Sequence, residues 1–405
     1  MARTVAALPA GTRVTDYVSF GVLARIVPRS RIDAVLAATG RGSRRQRDLP
    51  AHVVVYYVIA LALYMQSSYR EVLRCVFEGV EWIWGPAAVR IAGRSGISQA
   101  RTRLGWVPLK RLHDELVQPI ALPQTKGAWY RGWHVMSLDG SHLDVADTAG
   151  NVAAFGRPRA SRGTSAYPQI HLVSLVENGT HVLIGTELGP HDQAETDLAT
   201  GVLAHLTAGM LCLADRLFFG YTLWKQAHAT GADLVWRIKA GRLLRCHQVL
   251  PDGSYLSAIY PSDRARRREH HGMPVRVIDY RLEGIADAEP LYRIVTTILN
   301  PERAPAAELA ALYPERWEIE TAFDELKTHL RGARMVLRSK TPDLVRQECY
   351  GLLLAHYAIR GLMHEAALSA DVDPDRLSFL HAVRVVRRKL QGTGAFPPSG
   401  YRGVS

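Results

Sequence analysis

Cysteine is scarce in this chain: among 405 residues it occurs four times, as Cys75, Cys212, Cys246 and Cys349, widely separated. With no CxxC pair and no Cys/His ligand spacing, neither a disulfide framework nor a zinc site is indicated, which suits a reducing compartment. Long apolar runs are missing too. The stretch from 53 to 65 is too short for a bilayer core about 30 Å thick, and that from 352 to 359 is shorter still, so both read as core helices. The first residues, Met1-Ala2-Arg3-Thr4, open no signal-type apolar segment. No internal repeat or low-complexity tract is present. These absences point away from membrane and repeat architectures, and the expected compartment is the cytoplasm, in association with the nucleoid if the partner is DNA.

Acidic charge is in deficit. Fifty Lys+Arg against 38 Asp+Glu give a net charge of +12, and arginine far outnumbers lysine. Such a field favours a polyanionic partner, and the arginine excess suits phosphate recognition, although a GC-rich coding sequence produces the same bias. Basic runs lie at 41–47, 264–268 and 384–389, and each alone reads as a solvated face at least as readily as a binding surface. A charged fraction of 22% and an apolar fraction of 47% mark an ordinary globular chain rather than a disordered or fibrous one. The length accommodates about two or three domains.

Residues 313 to 327 read Tyr-Pro-Glu-Arg-Trp-Glu-Ile-Glu-Thr-Ala-Phe-Asp-Glu-Leu-Lys. Tyr313, Arg316, Glu320 and Lys327 follow one another at three, four and seven residues, which at about 3.6 residues per turn brings them near one helical face. A carboxylate among two cations and an aromatic hydroxyl suits a metal-bound phosphate. The same spacing also suits a plain amphipathic helix with an Arg316–Glu320 pair. Upstream, the apolar stretches Val-Met-Ser-Leu at 135–138 and Met-Leu-Cys-Leu-Ala at 210–214 run into Asp139 and Asp215. Both read as buried strands bringing a carboxylate to a sheet edge or, taken singly, as a turn at Asp139-Gly140 and a helix cap at Asp215.

The Y-x2-R-x3-E-x6-K pattern resembles the signature of the insertion-sequence-four family of DDE transposases, and Asp139 and Asp215 match that family's two aspartates. Residues 20 to 110 are similar to its amino-terminal domain through Ile26-Val27-Pro28, 44–49, Tyr69-Arg70-Glu71-Val72 and 94–103. The resemblance spans about 20–365. It implies a catalytic triad of Asp139, Asp215 and Glu320 that ligates two Mg²⁺ or Mn²⁺ ions, Asp139 bridging both, since hard cations take carboxylate, phosphate and water oxygens. No covalent protein intermediate is then needed. It also implies phosphate contacts at the cut DNA end for Tyr313, Arg316 and Lys327, and a homodimer that synapses two transposon ends and then engages target DNA. Family members that form a hairpin stack a flipped base on a tryptophan of their insertion. Residues 239 to 312 hold no tryptophan, and Trp236 falls in an expected core strand.

The expected fold class is α/β. A ribonuclease H-like catalytic core at 130–335, with a β-rich insertion at about 240–304, is preceded by a helical DNA-binding domain at 12–120 and followed by a helical region at 340–392. In the first domain, residues 98 to 105 read as a recognition helix aiming Arg101 and Arg103 at DNA, or as a basic surface helix of a bundle. Core strands are expected at 169–176, 181–188 and 233–238, and insertion strands at 242–250, 274–282 and 291–297 around a His-rich loop at 264–271. The expected function is metal-dependent cleavage and strand transfer at the terminal inverted repeats of an insertion element. A purely hydrolytic nuclease and a domesticated DNA-binding protein are the alternatives.

Overall fold

A computed structural model describes residues 24–43, 49–74, 76, 94–160, 163–164, 167–281, 289–332 and 336–388. The chain divides into two compact units. One takes residues up to 117, 325–367 and those from 376 on, and the other takes 118–324 and 368–375.

The first unit is helical. Its helix Ala51–Leu63 is apolar on every side and buried from Val53 to Leu63, as befits the central helix of a bundle. A β-carbon at Gly351, on the long helix Pro342–Ala370, would lie 2.7 Å from Val58 Cγ1, so glycine is what permits the close approach of these two helices.

The second unit is built on a sheet. Its strands are β1 (Trp129–Tyr130), β2 (Trp133–Asp144), a separate two-residue pair β3 (Arg159–Ala160) and β4 (Gly163–Thr164), then β5 (Gln169–Glu177), β6 (Val182–Pro190), β7 (Met210–Ala214) and β8 (Asp233–Ile238). The insertion contributes β9 (Gln248–Val249), β10 (Tyr255–Ile259), β11 (Met273–Tyr280) and β12 (Tyr292–Thr296). Across the sheet the order is β6-β5-β2-β7-β8-β12-β11-β10-β9, with β1 on β2. Strand β5 is antiparallel to both β2 and β6, whereas β7 and β8 are parallel to β2. Helices Glu195–Val202 and Tyr221–Ala229 make the crossovers that parallel neighbours require. Three antiparallel strands followed by two parallel ones, in this spatial order, constitute the ribonuclease H-like arrangement. Strand β7 is buried at all five residues, the unbroken apolar run typical of a strand covered on both faces.

The insertion differs from expectation. Its strands continue the core sheet, β12 pairing antiparallel with β8, and it is their limits that depart from those expected. The stretch expected to be extended from 242 to 250 contributes only Gln248–Val249, and β10 was unforeseen because it takes its order from pairing with β11. The basic loop at 264 begins as the helix Asp263–Arg268, capped by the Ser262 hydroxyl, which accepts the Ala265 N–H. Trp236 is fully buried, edge-on to Trp224 with ring centroids 5.2 Å apart, and offers no face to a base.

Candidate active site

The parallel register of β2 and β7 sets Leu138 opposite Ala214. The next residues, Asp139 and Asp215, therefore come side by side where β7 ends, at the carboxyl end of the parallel pairing, the side on which open α/β sheets place ligands. Strand β7 stops at Ala214, while β2 continues to Asp144 paired with β5, so Asp139 keeps a strand partner on one side and has none from β7 on the other. The third carboxylate arrives from the insertion side. The Tyr313 hydroxyl donates to the Ala214 carbonyl at 3.2 Å and fastens the start of the Glu320 segment to the end of β7. Arg316 Nη1 donates to Asp139 Oδ2 at 2.8 Å, and its Nη2 lies 3.5 Å from Glu320 Oε1. One buried guanidinium thus spans the first and third carboxylates, with the Trp317 ring 5.3 Å from its centre.

The electrostatics are uneven. Asp139 has a 21% exposed side chain and Glu320 a 47% exposed one. Burial raises the Asp139 carboxyl to about 6; the Gly140 N–H and Arg316 pull it back, while Glu195 and Asp215 push the same way as burial. Arg316 is held charged, because Tyr313, Asp139, Asp215 and Glu320 outweigh its own desolvation. Burial drives the Tyr313 hydroxyl well above its usual range. Two aspartates on neighbouring strands, one of them raised by burial, with a helical glutamate linked to the first through Arg316, suit a small divalent cation whose charge would relieve that cost.

Several sequence expectations are corrected here. The signature is not one uniform α-helix: Tyr313–Trp317 is a 3₁₀ turn, Glu318–Asp324 is α-helical and Glu325–Leu330 is a π-helical stretch. A single 3.6-residue period therefore does not describe it, and such local changes of helix type recur at functional sites. Tyr313 is 6% exposed with its hydroxyl on a backbone carbonyl, so it anchors the segment instead of facing a phosphate. Lys327 is half-buried and belongs to the helical unit. Arg101 does not face DNA: it is 3% exposed and donates to Gln347 Oε1 at 2.8 Å, Ser339 Oγ at 2.9 Å and the Leu344 carbonyl at 3.2 Å. Arg103 is exposed. Residues two apart on a helix point about 200° apart, so the two arginines could not share a face.

Sequence reasoning also passed over residues on the other flank of Asp139. Gly140 lies inside β2, where a β-carbon would come within 2.6 Å of Glu195 Oε1 and 3.1 Å of His171 Nε2. The Asp-Gly pair is thus a strand position cleared for a carboxylate rather than a turn. The available signal was a glycine after an apolar strand together with an acidic first turn in the helix Glu195–Val202. Two residues before Glu320, Glu318 turns toward His181, which also meets Asp375. The donor atoms of these three groups lie within 4.8 Å of one another, and burial, the largest cause, lifts the Glu318 carboxyl to about 8.

Comparisons with known proteins place the family. A family model described as "Insertion element 4 transposase N-terminal" matches residues 17–114, and one described as "Transposase DDE domain" matches residues 134–358. The chain is 27% identical over 362 residues to the transposase InsG for insertion sequence element IS4 of Escherichia coli (strain K12), covering 89% of this chain and 80% of that protein. Among solved structures, the piggyBac transposase synaptic complex with hairpin DNA aligns with a TM-score of 0.46 at 9% identity, covering 92% of this chain and 78% of that one.

Proposed function

The chain belongs to the insertion-element-4 family of DDE transposases, and on that premise we propose that Asp139, Asp215 and Glu320 are its catalytic carboxylates. As a DDE transposase it binds DNA and depends on a divalent metal. In our reading the metal is Mg²⁺ or Mn²⁺, two ions per site, and the DNA is the terminal inverted repeats of an insertion element, which are cut and then joined to a target within the bacterial nucleoid. The observation that carries this reading is the pairing of Leu138 with Ala214, which sets two carboxylates at one parallel edge, together with Arg316 tethering the Glu320 segment to Asp139.

When bound, the divalent ions supply Lewis acidity to the attacking and leaving oxygens of an in-line displacement. The protein's own groups do the positioning. Tyr313 holds the Glu320 segment against β7. Arg316, charged and inside a low-dielectric pocket, keeps Asp139 and Glu320 from repelling each other and stands ready to meet a scissile phosphate as it enters. Lys327 contacts the phosphate backbone of the cut end, and Arg103 contributes to recognition from the amino-terminal helices. Two protomers pair two ends before cutting, which prevents lone breaks.

Incubating the purified chain with labelled end duplexes and Mg²⁺ tests this. Joined products, lost in Asp139→Asn, Asp215→Asn and Glu320→Gln while end binding persists, are expected. Nicks without joining would make the chain a nuclease, and cleavage in chelator would remove the metal.

A further inference from the structure

Close to Asp139, the helix Glu195–Val202 opens with Glu195, whose side chain is 24% exposed. Its Oε1 occupies the space in front of Gly140, the residue next to Asp139. It also lies 3.5 Å from His171 Nε2. His171 is 3% exposed, and its Nδ1 is 3.1 Å from the Gln193 carbonyl, which can only accept a hydrogen bond, so Nδ1 carries the proton. Its other ring nitrogen, Nε2, faces Glu195. It is buried, has no hydrogen-bond partner among the described residues, and is aimed at a carboxylate that is itself an acceptor. The Glu195 carboxylate also stands close enough to Asp139 to act on it as a like charge, and two such carboxylates call for a cation beside them. The His142 ring, paired across β2 and β5 with His171, stacks on it at 4.1 Å. Burial drives His142 down to about 4, so the stacked ring supplies no cation at neutral pH.

We propose that Glu195 is a fourth oxygen ligand of the catalytic metal centre, on the Asp139 side, with His171 as its positioning residue. This rests on the assignment of Asp139, Asp215 and Glu320 made above. Small divalent cations demand several oxygens in fixed directions, and a ligand is oriented by a second group behind it, here the imidazole. The charge balance supports the same reading. Four carboxylates against one guanidinium leave three negative charges; one divalent ion leaves the site negative, whereas two make it positive by one, matching a phosphodiester. Gly140 is explained as well, since any side chain there displaces Glu195.

The test is Mn²⁺ binding to the full chain without DNA, followed by calorimetry and by the loss of the free-ion EPR signal. Glu195→Gln is expected to weaken Mn²⁺ binding tenfold or more, the effect usual for a ligand or its support, with the melting temperature in chelator unchanged. Gly140→Ala should do the same by crowding the carboxylate. His171→Phe should weaken binding by a smaller factor; unchanged affinity with a lowered melting temperature would reduce His171 to packing. Wild-type affinity in Glu195→Gln, alongside lost binding in Asp139→Asn, would overturn this inference and leave the triad standing. Wild-type affinity in Asp139→Asn would overturn both.

Discussion

Asp139→Asn should make the metal-free protein more stable while abolishing cleavage. Burial holds the Asp139 carboxyl at about 6 against an ordinary 3.8, and this is the balance left after the Arg316 pair and the Gly140 N–H have already helped the charge. At about 1.4 kcal/mol per tenfold change in proton affinity, keeping this side chain ionised costs the folded state up to about 3 kcal/mol. The sign depends on pH. Below pH 4 the carboxyl is protonated in folded and unfolded chains alike and costs nothing. Between 4 and 6 the unfolded chain ionises first, and stability falls as pH rises. Above 6 the full cost persists. Asparagine keeps the shape and can still accept from Arg316, so its advantage should be absent at pH 4, grow through pH 6 and level off by pH 8 at a rise of about 6–10 °C in melting temperature. Thermal and urea unfolding in chelator at pH 4.5, 6 and 8 measure this. Added Mn²⁺ should then stabilise the wild type and not the variant. An Asn variant less stable than the wild type at pH 8, or a gain of the same size at every pH, would refute the argument.

Arg316→Ala removes the only cation bridging Asp139 and Glu320 among the described residues; it should cost about 3 kcal/mol and move the acid limb of the cleavage profile above pH 6, readable from unfolding and pH–rate curves. Tyr313→Phe loses one hydrogen bond, about 1 kcal/mol, and should lower cleavage about tenfold or more while end affinity holds; an equal loss of affinity would return the hydroxyl to a phosphate contact. Arg101→Ala should destabilise by about 2–3 kcal/mol because it leaves Gln347 and Ser339 without their donor. Arg103→Ala should leave the melting curve in place and lower the slope of log affinity against log salt by about one, seen by titrating end binding across salt.

The placing of the two aspartates was legible because its demands are local. A buried strand segment that runs into a carboxylate is an apolar run followed by aspartate, and both Val135-Met136-Ser137-Leu138-Asp139 and Met210-Leu211-Cys212-Leu213-Ala214-Asp215 keep that form in any context, although β2 continues beyond Asp139. The strand Asp233–Ile238 was expected with its observed limits for the same reason. Side-chain direction was harder to read. Whether Arg101 faces water or Gln347, and whether the Tyr313 hydroxyl meets a phosphate or the Ala214 carbonyl, depends on residues 246 and 99 positions away. Glu195 and His171 carry no signature of their own.

The order of residues by itself determined that this chain has a ribonuclease H-like core, with Asp139 and Asp215 each following an apolar run and Glu320 in a helical segment, because apolar periodicity and residue type act over a few neighbours. Tertiary structure alone decided that the insertion continues the core sheet, that Arg316 joins Asp139 to Glu320, and that Gly140 clears room for Glu195. These are contacts between segments far apart in the chain, chosen by the closing of the sheet and by the cost of leaving a buried charge unpaired.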